Sequence, residues 1–262
     1  MCVRLAVIGG GNMARSILSG AVSRGILQEH EIVVADPDPF SQEYFRSQNI
    51  VCVPHASELP MPKGSQVLLA VKPQIFEAVA SDVSSDVVIS IMAGVSTRTI
   101  SEQITNGRII RVMPNLPCSI GLGAAGMALG KQATMQDAAL ATELFNAIGT
   151  VKMVEEFLMD AVTAVSGSGP AYLFLLAEAM IEGGVASGLD RETADALVRQ
   201  TLLGASGLLS QDVRSATLLR EAVTSKGGTT AAALEVLQAN GVSQSIADAI
   251  VAARDRGREL GA

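Results

Sequence analysis

The first half of the chain alternates short apolar runs with segments whose apolar residues recur at helical spacing. Val3–Ile8 is one such run, ended by Gly9-Gly10-Gly11. Met13, Ile17, Leu18 and Ala21 then share one face of a helix expected over Asn12–Arg24. Further strands are expected at Glu31–Ala35, Val51–Val53, Gln66–Val71, Asp86–Ile91, Arg108–Met113 and Ala124–Leu129. Helices fit Phe40–Gln48, Gln74–Ser81, Thr97–Ile104 and Met135–Ile148. Strands alternating with helices predict an α/β domain, a doubly wound and mostly parallel sheet, over residues 1–153.

The pattern changes near Thr150. From Phe157 onward only helical segments are expected: Met159–Val165, Ala171–Ser187, Arg191–Leu209, Ala216–Val223, Thr230–Ala239 and Gln244–Glu259. Pro170 and Asp190 are helix-start signals, and Gly188 and Gly241 are stops. These segments predict an all-α domain over residues 154–262. The helix after Asp190 carries Ala194, Ala196, Gly204, Ala205, Ser206 and Gly207. Small residues let helices approach closely, as in an interdigitated dimer, though an ordinary helical subdomain would use them too.

Composition narrows the possible chemistry. The chain is 48% hydrophobic with 3% aromatic residues and no Trp, which suits parallel strands under closely packed helices. Its net charge of -7 has no basic block to offset it, so neither nucleic acid nor an anionic membrane is an expected partner. The uncharged window Val112–Gly130 contains Pro114 and Pro117, and a second, Ala161–Ala177, is expected to be broken by Gly167, Gly169 and Pro170. With a strand starting at Val3 and no cleavage signal ahead of it, a cytoplasmic location is expected. Cys2, Cys52 and Cys118 are too few and too widely spaced for a disulfide framework, and no metal site is expected. The two histidines, His30 and His55, lie in polar connecting sequence. A Ser-His-Asp hydrolase or a His-ligated zinc enzyme would need one of them in a prepared setting.

Gly9-x-Gly11-x-x-Ala14 follows a strand and opens a helix. The first glycine permits a tight turn, and the second lets backbone approach a pyrophosphate. The small residue at 14 keeps helix and strand close, which makes the motif a Rossmann dinucleotide signature. Asp36 ends the second strand 22 residues beyond Ala14, where a carboxylate accepts hydrogen bonds from ribose hydroxyls. With Asp38 it disfavours a 2′-phosphate, so the local sequence leans toward NADH. Two further strand ends, Ala70-Val71-Lys72-Pro73 and Ala93-Gly94, should face the same ligand. In the helical half, Ser166–Tyr172 and Thr224–Thr230 are glycine-rich helix entries suited to a carboxylate, although a plain cap would look alike.

Five blocks in order give the chain a resemblance to pyrroline-5-carboxylate reductases that runs nearly end to end. They are Val7–Ala14, Ala70–Gln74, Met113-Pro114-Asn115, Ser166–Tyr172 and Thr224–Thr230. The resemblance implies a Rossmann domain and a helical domain that builds an intertwined homodimer, often assembled into a pentamer of dimers. It implies reduction of 1-pyrroline-5-carboxylate to L-proline with NADPH or NADH. Cofactor contacts are expected from Gly9, Gly10, Gly11, Asn12, Met13, Ala14, Asp36, Ala70, Val71, Lys72, Pro73, Ala93, Gly94 and Asn115. Ser225, Gly227, Gly228 and Thr229 would hold the substrate carboxylate, with the Thr230 hydroxyl directed at the ring nitrogen. The family usually has proline where this chain has Lys226, and many members prefer NADPH, which Asp36 disfavours.

An imine is more basic than a ketone, so this chemistry needs no histidine. Two rivals remain open at this stage. A related hydroxyacid dehydrogenase would carry a lysine early in its second domain, but none lies between Lys152 and Lys226. A nicotinamide-binding protein without catalysis would have no use for a substrate loop.

Overall fold

The computed structural model describes residues 3–105 and 107–261. The first part of the chain runs β1 (Leu5–Ile8), α1 (Asn12–Ser23), β2 (Ile32–Ala35), α2 (Pro39–Ser47), β3 (Val51–Val53), β4 (Gln66–Leu69) and α3 (Phe76–Val79). It continues with β5 (Val87–Ser90), α4 (Thr97–Gln103), β6 (Arg108–Met113), β7 (Gly123–Leu129), α5 (Ala139–Ala147) and β8 (Gly149–Met153). Helices follow: α6 (Met159–Val162), α7 (Gly169–Ala186), α8 (Arg191–Gln211), α9 (Ala216–Ala222), α10 (Thr229–Ala239) and α11 (Val242–Leu260).

The strands form one sheet in the order β3-β2-β1-β4-β5-β6-β7-β8. Every neighbouring pair is parallel except β6 with β7. Alternate residues of each central strand supply two cores, one on each face. Leu5, Val7, Val34, Leu68, Ile89 and Ile110 pack under Ile17 and Leu18 of α1 and Leu144 and Phe145 of α5. Ala6, Ile8, Val33, Leu69, Val88 and Ile109 pack under Phe76, Ile100 and Ile104 on the other face. The doubly wound sheet expected from the apolar pattern is thus present.

The chain divides into two compact units, Met1–Ser168 with Ala252–Ala262, and Gly169–Val251. In the second, α7 and α8 approach closely: a Cβ added at Gly184 would lie 3.1 Å from Ala194 Cβ. Within this unit, Ala194 and Val198 are buried while Leu175, Leu203 and Val236 stay more than half exposed.

Four elements depart from the sequence reading. β8 was not expected; its five residues begin with a glycine and alternate weakly because all of them are at least partly exposed. Gly149 is required there, since any Cβ would collide with the Gly123 carbonyl of β7. Gln74–Ser81 is not one helix but a short α-turn, α3, between two 3₁₀ turns. The helix expected from Met135 starts at Ala139, because Asp137 accepts the Thr134 N–H (2.8 Å) and hydroxyl (2.7 Å) in a turn instead.

The fourth concerns Ala161–Ala177. Gly167, Gly169 and Pro170 interrupt the α-helix there without ending the helical stretch: α6 gives way to a π-turn and a bend at Ser168 before α7 starts at Gly169. The stretch Glu156–Ala186 is long and apolar enough to cross a membrane by length and composition. A π-turn over Thr163–Gly167 absorbs the proline. Pro170 has no N–H for the carbonyl four residues back, Ser166, and Asn115 Nδ2 donates to that oxygen at 3.0 Å.

Candidate active site

Backbone hydrogen bonds bring the carboxyl ends of β1, β2, β4 and β5 side by side: Gly9 N to Ala35 O (2.9 Å), Ala70 N to Ile8 O (2.8 Å) and Ile91 N to Leu69 O (3.1 Å). This edge is where ligands bind in doubly wound sheets. The glycine turn occupies its centre. Gly9 has φ +100°, and a Cβ there would lie 2.7 Å from Ala70 O. A Cβ on Gly10 would strike Ser41 Oγ and Phe45. Gly11 differs, because a Cβ there would meet nothing within 4 Å.

Gly11 is also the N-cap of α1, and no side chain caps that helix. The amides of Asn12, Met13 and Ala14 therefore open the helix at its positive end without a capping oxygen, a setting that suits a pyrophosphate. Ala14 is buried, as close helix–strand packing requires, whereas Gly11 and Asn12 are exposed and Met13 is half-buried. The residues present fit a dinucleotide.

Around this turn stand the other expected contacts. The half-buried Asp36 accepts the Gly10 N–H through Oδ2, and the Asp38 N–H through Oδ1 at 2.9 Å. Ala70, Val71, exposed Lys72 and Pro73 follow β4, with the Lys72 carbonyl closing the turn to Ile75 N at 2.9 Å. Exposed Ala93 precedes Gly94 (φ +74°), which lies against Leu260 as the chain's end returns to this unit.

Asn115 is placed differently: it is buried and engaged within the protein. Its Oδ1 accepts the Ala124 N–H (2.9 Å) while its Nδ2 holds the Ser166 carbonyl (3.0 Å). A Cβ at Gly167 would lie 3.1 Å from Met113 Cε, so the Met113–Asn115 and Ser166–Ser168 segments pack on each other.

The remaining expected residues lie in the second unit. Ser225–Gly228 is a turn closed by Gly228 N to Ser225 O (3.0 Å), with Gly227 at φ +70°. Lys226 takes the second position, where proline would preset the backbone, so the turn forms without that restraint. Gly228 is the N-cap of α10 and offers no side-chain cap, leaving the Thr229 and Thr230 amides at an open helix start. Thr230 is half-buried beside them.

The sequence reading did not single out Arg111 and Glu156. Arg111 is 5% exposed on β6 and pairs with Glu156 Oε1 at 3.1 Å. The same oxygen accepts the Thr97 N–H that starts α4 (3.0 Å). A charge inside the apolar run Arg108–Met113 was the available signal. His30 and His55 are exposed. Burial pushes the thiols of Cys52 and Cys118 above their ordinary values, so neither is a ready thiolate, and Cys2 lies outside the described residues. Among the described residues, no cluster of three or more His, Cys, Asp or Glu side chains could hold a metal.

Residues 156–260 match the family model described as pyrroline-5-carboxylate reductase dimerisation, and residues 4–94 that of NADP oxidoreductases, coenzyme F420-dependent. A pyrroline-5-carboxylate reductase of Synechocystis sp. is 39% identical, covering 100% of this chain and 99% of that one. The chain belongs to the pyrroline-5-carboxylate reductase family. Among solved members, the Coxiella burnetii enzyme superposes with a TM-score of 0.91 at 33% identity, covering 100% of both chains. The Plasmodium falciparum pyrroline carboxylate reductase, solved with NADP bound, gives 0.86 at 28% identity, covering 99% of this chain and 98% of that one.

Proposed function

We infer that this chain reduces 1-pyrroline-5-carboxylate to L-proline with NADPH or NADH, the last step of proline biosynthesis. The carrying observation is the glycine turn ahead of α1: packing demands Gly9 and Gly10, while Gly11 leaves open space at an uncapped helix start. Family membership supplies the substrate. In this reading residues 1–153 form the coenzyme domain, and residues 154–262 the dimerisation and substrate domain.

Bound at the turn, reduced nicotinamide supplies the hydride that adds to the imine carbon. The chain's residues do the rest. Gly9–Ala14, Asp36, Ala70–Pro73, Ala93 and Gly94 hold and orient the dinucleotide, and Asn115 stiffens the backbone beside them. Ser225, Gly227, Gly228 and Thr229 bind the substrate carboxylate at the start of α10, where helix amides favour an anion. The Thr230 hydroxyl donates a hydrogen bond to the ring nitrogen. As hydride adds to the carbon, the nitrogen takes the C=N electron pair and its protons come from water, so the product leaves as a protonated amine. Holding two reactants in register accounts for up to about 7–11 kcal/mol of the barrier.

Two chains pair through the helical domain, and five such dimers form the larger assembly the family implies. The apolar run Glu156–Ala186 is covered by a second copy rather than by lipid, and the enzyme works in the cytoplasm. The test is direct: purified protein, the pyrroline and reduced coenzyme should lose nicotinamide absorbance and yield stoichiometric proline. Oxidation of a 2-hydroxy acid without any imine reduction would overturn the reading.

A further inference from the structure

We infer that Asp36 and Asp38 together make this enzyme select NADH over NADPH. The inference rests on the dinucleotide reading above and adds which of the two coenzymes the site takes.

The Asp36 carboxylate is held in place rather than free. Gly10 N donates to one oxygen and Asp38 N to the other, the latter at 2.9 Å, so the carboxylate stands at the rim of the glycine turn. A carboxylate oxygen has two acceptor positions, so each keeps one for a ribose hydroxyl. An adenosine 2′-hydroxyl satisfies that geometry. A 2′-phosphate brings only acceptors and about two negative charges.

The helix start nearest in sequence, which would otherwise offset such a charge, is closed to it. Asp38 is the N-cap of α2, and its own carboxylate accepts the Phe40 N–H at 3.2 Å. Pro39 stands at the first helical position and has no N–H to give. The positive end of α2 is therefore already served by an internal anion.

The arginines nearest in sequence are also engaged. Arg15 lies over the Tyr44 ring, 4.5 Å from its centroid, and Nε donates to Gly10 O at 3.1 Å. Arg46 donates to Gln42 Oε1 (3.1 Å), and Gln42 in turn holds the Asp36 carbonyl (3.0 Å). A 2′-phosphate here would face two carboxylates, while each arginine already holds a neutral partner through one nitrogen, and like charges brought together discriminate strongly.

The test is equilibrium binding of NADH and NADPH, each followed by nicotinamide fluorescence without substrate. The wild type should bind NADPH at least about tenfold more weakly than NADH, and added salt should narrow the gap. Asn caps helices as well as Asp does, so Asp38→Asn keeps the cap of α2, whereas Asp36→Asn keeps only one of the two oxygens that the Gly10 and Asp38 amides use. Asp36→Asn/Asp38→Asn removes both charges. That double variant should stay folded with a somewhat lower melting temperature, from the one amide left without its acceptor, and bring the two dissociation constants within about threefold. Asp38→Asn alone should move the ratio the same way by a smaller factor. NADPH binding as tightly as NADH in the wild type, or a ratio the variants leave unmoved, overturns the inference while the dinucleotide site stands. If neither coenzyme binds, the dinucleotide reading fails and takes this inference with it.

Discussion

Gly9, Gly10 and Gly11 stand in one tripeptide but answer to different demands. Gly10→Ala forces a methyl into Ser41 and Phe45, an overpacking that should destabilise by about 1–3 kcal/mol in denaturant titrations. Gly11 has φ −68°, open to any residue, and space beyond it. Gly11→Ala should therefore lower Tm by no more than about 4 °C, yet weaken dinucleotide binding at least about tenfold. Parallel loss of stability and affinity would make Gly11 structural. Thr230→Ala should lower kcat while leaving coenzyme affinity near wild type, as titration of the free enzyme would read; equal loss of both would remove Thr230 from the chemistry. The glycine motif was legible because glycines are scarce solutions to specific backbone problems, whereas Thr224–Thr230 reads equally well as a plain helix cap and its role came only from the family resemblance. What the sequence did not carry was Asn115's engagement with Ser166, since nothing local says that a proline further along leaves a carbonyl to satisfy.

Elements here are joined by polar contacts as well as by apolar faces. Arg111 on β6 and Glu156 after β8 meet, and Glu156 also caps the start of α4. The joint is incompletely satisfied: Arg111 Nε and Nη2 and Glu156 Oε2 are buried and find no partner among the described residues. Such a pair matters chiefly through what its breaking leaves behind. Glu156→Ala strands a buried guanidinium and should cost about 3 kcal/mol, at the low end because the Glu156 side chain is 30% exposed. The double variant Arg111→Met/Glu156→Leu should lose less than the single one, and equilibrium unfolding distinguishes them; a larger loss would mean the charges stabilise outright. The central strands were readable because burial on both faces leaves continuous apolar runs. β8 was not, being a short edge strand whose register depends on two facing glycines, Gly123 and Gly149, far apart in sequence. Pro170 stands at the start of α7 as its type suggests; what helical spacing does not record is the π-turn and the distant asparagine side chain that carry the stretch up to it.

At the scale of the whole molecule, the second unit shows more apolar surface than one chain has reason to expose. Leu175 is 68% exposed, Leu203 63% and Val236 62%. Large apolar side chains left this exposed suit an association face, and residues 156–260 match a dimerisation model. Light scattering should give a mass of at least two chains, with a melting temperature that rises with concentration. Leu175→Glu/Leu203→Glu should shift the mass toward one chain, and a wild-type monomer would contradict the pairing. Everything proposed about catalysis presupposes a coenzyme at the start of α1. A crystal structure with bound dinucleotide measures that most directly. It should show the pyrophosphate within hydrogen-bond distance of the amides that open α1, beside Gly11, and the adenine ribose at Asp36. A dinucleotide seated at any other edge of the sheet, or a pyrophosphate remote from Gly11, would contradict the account.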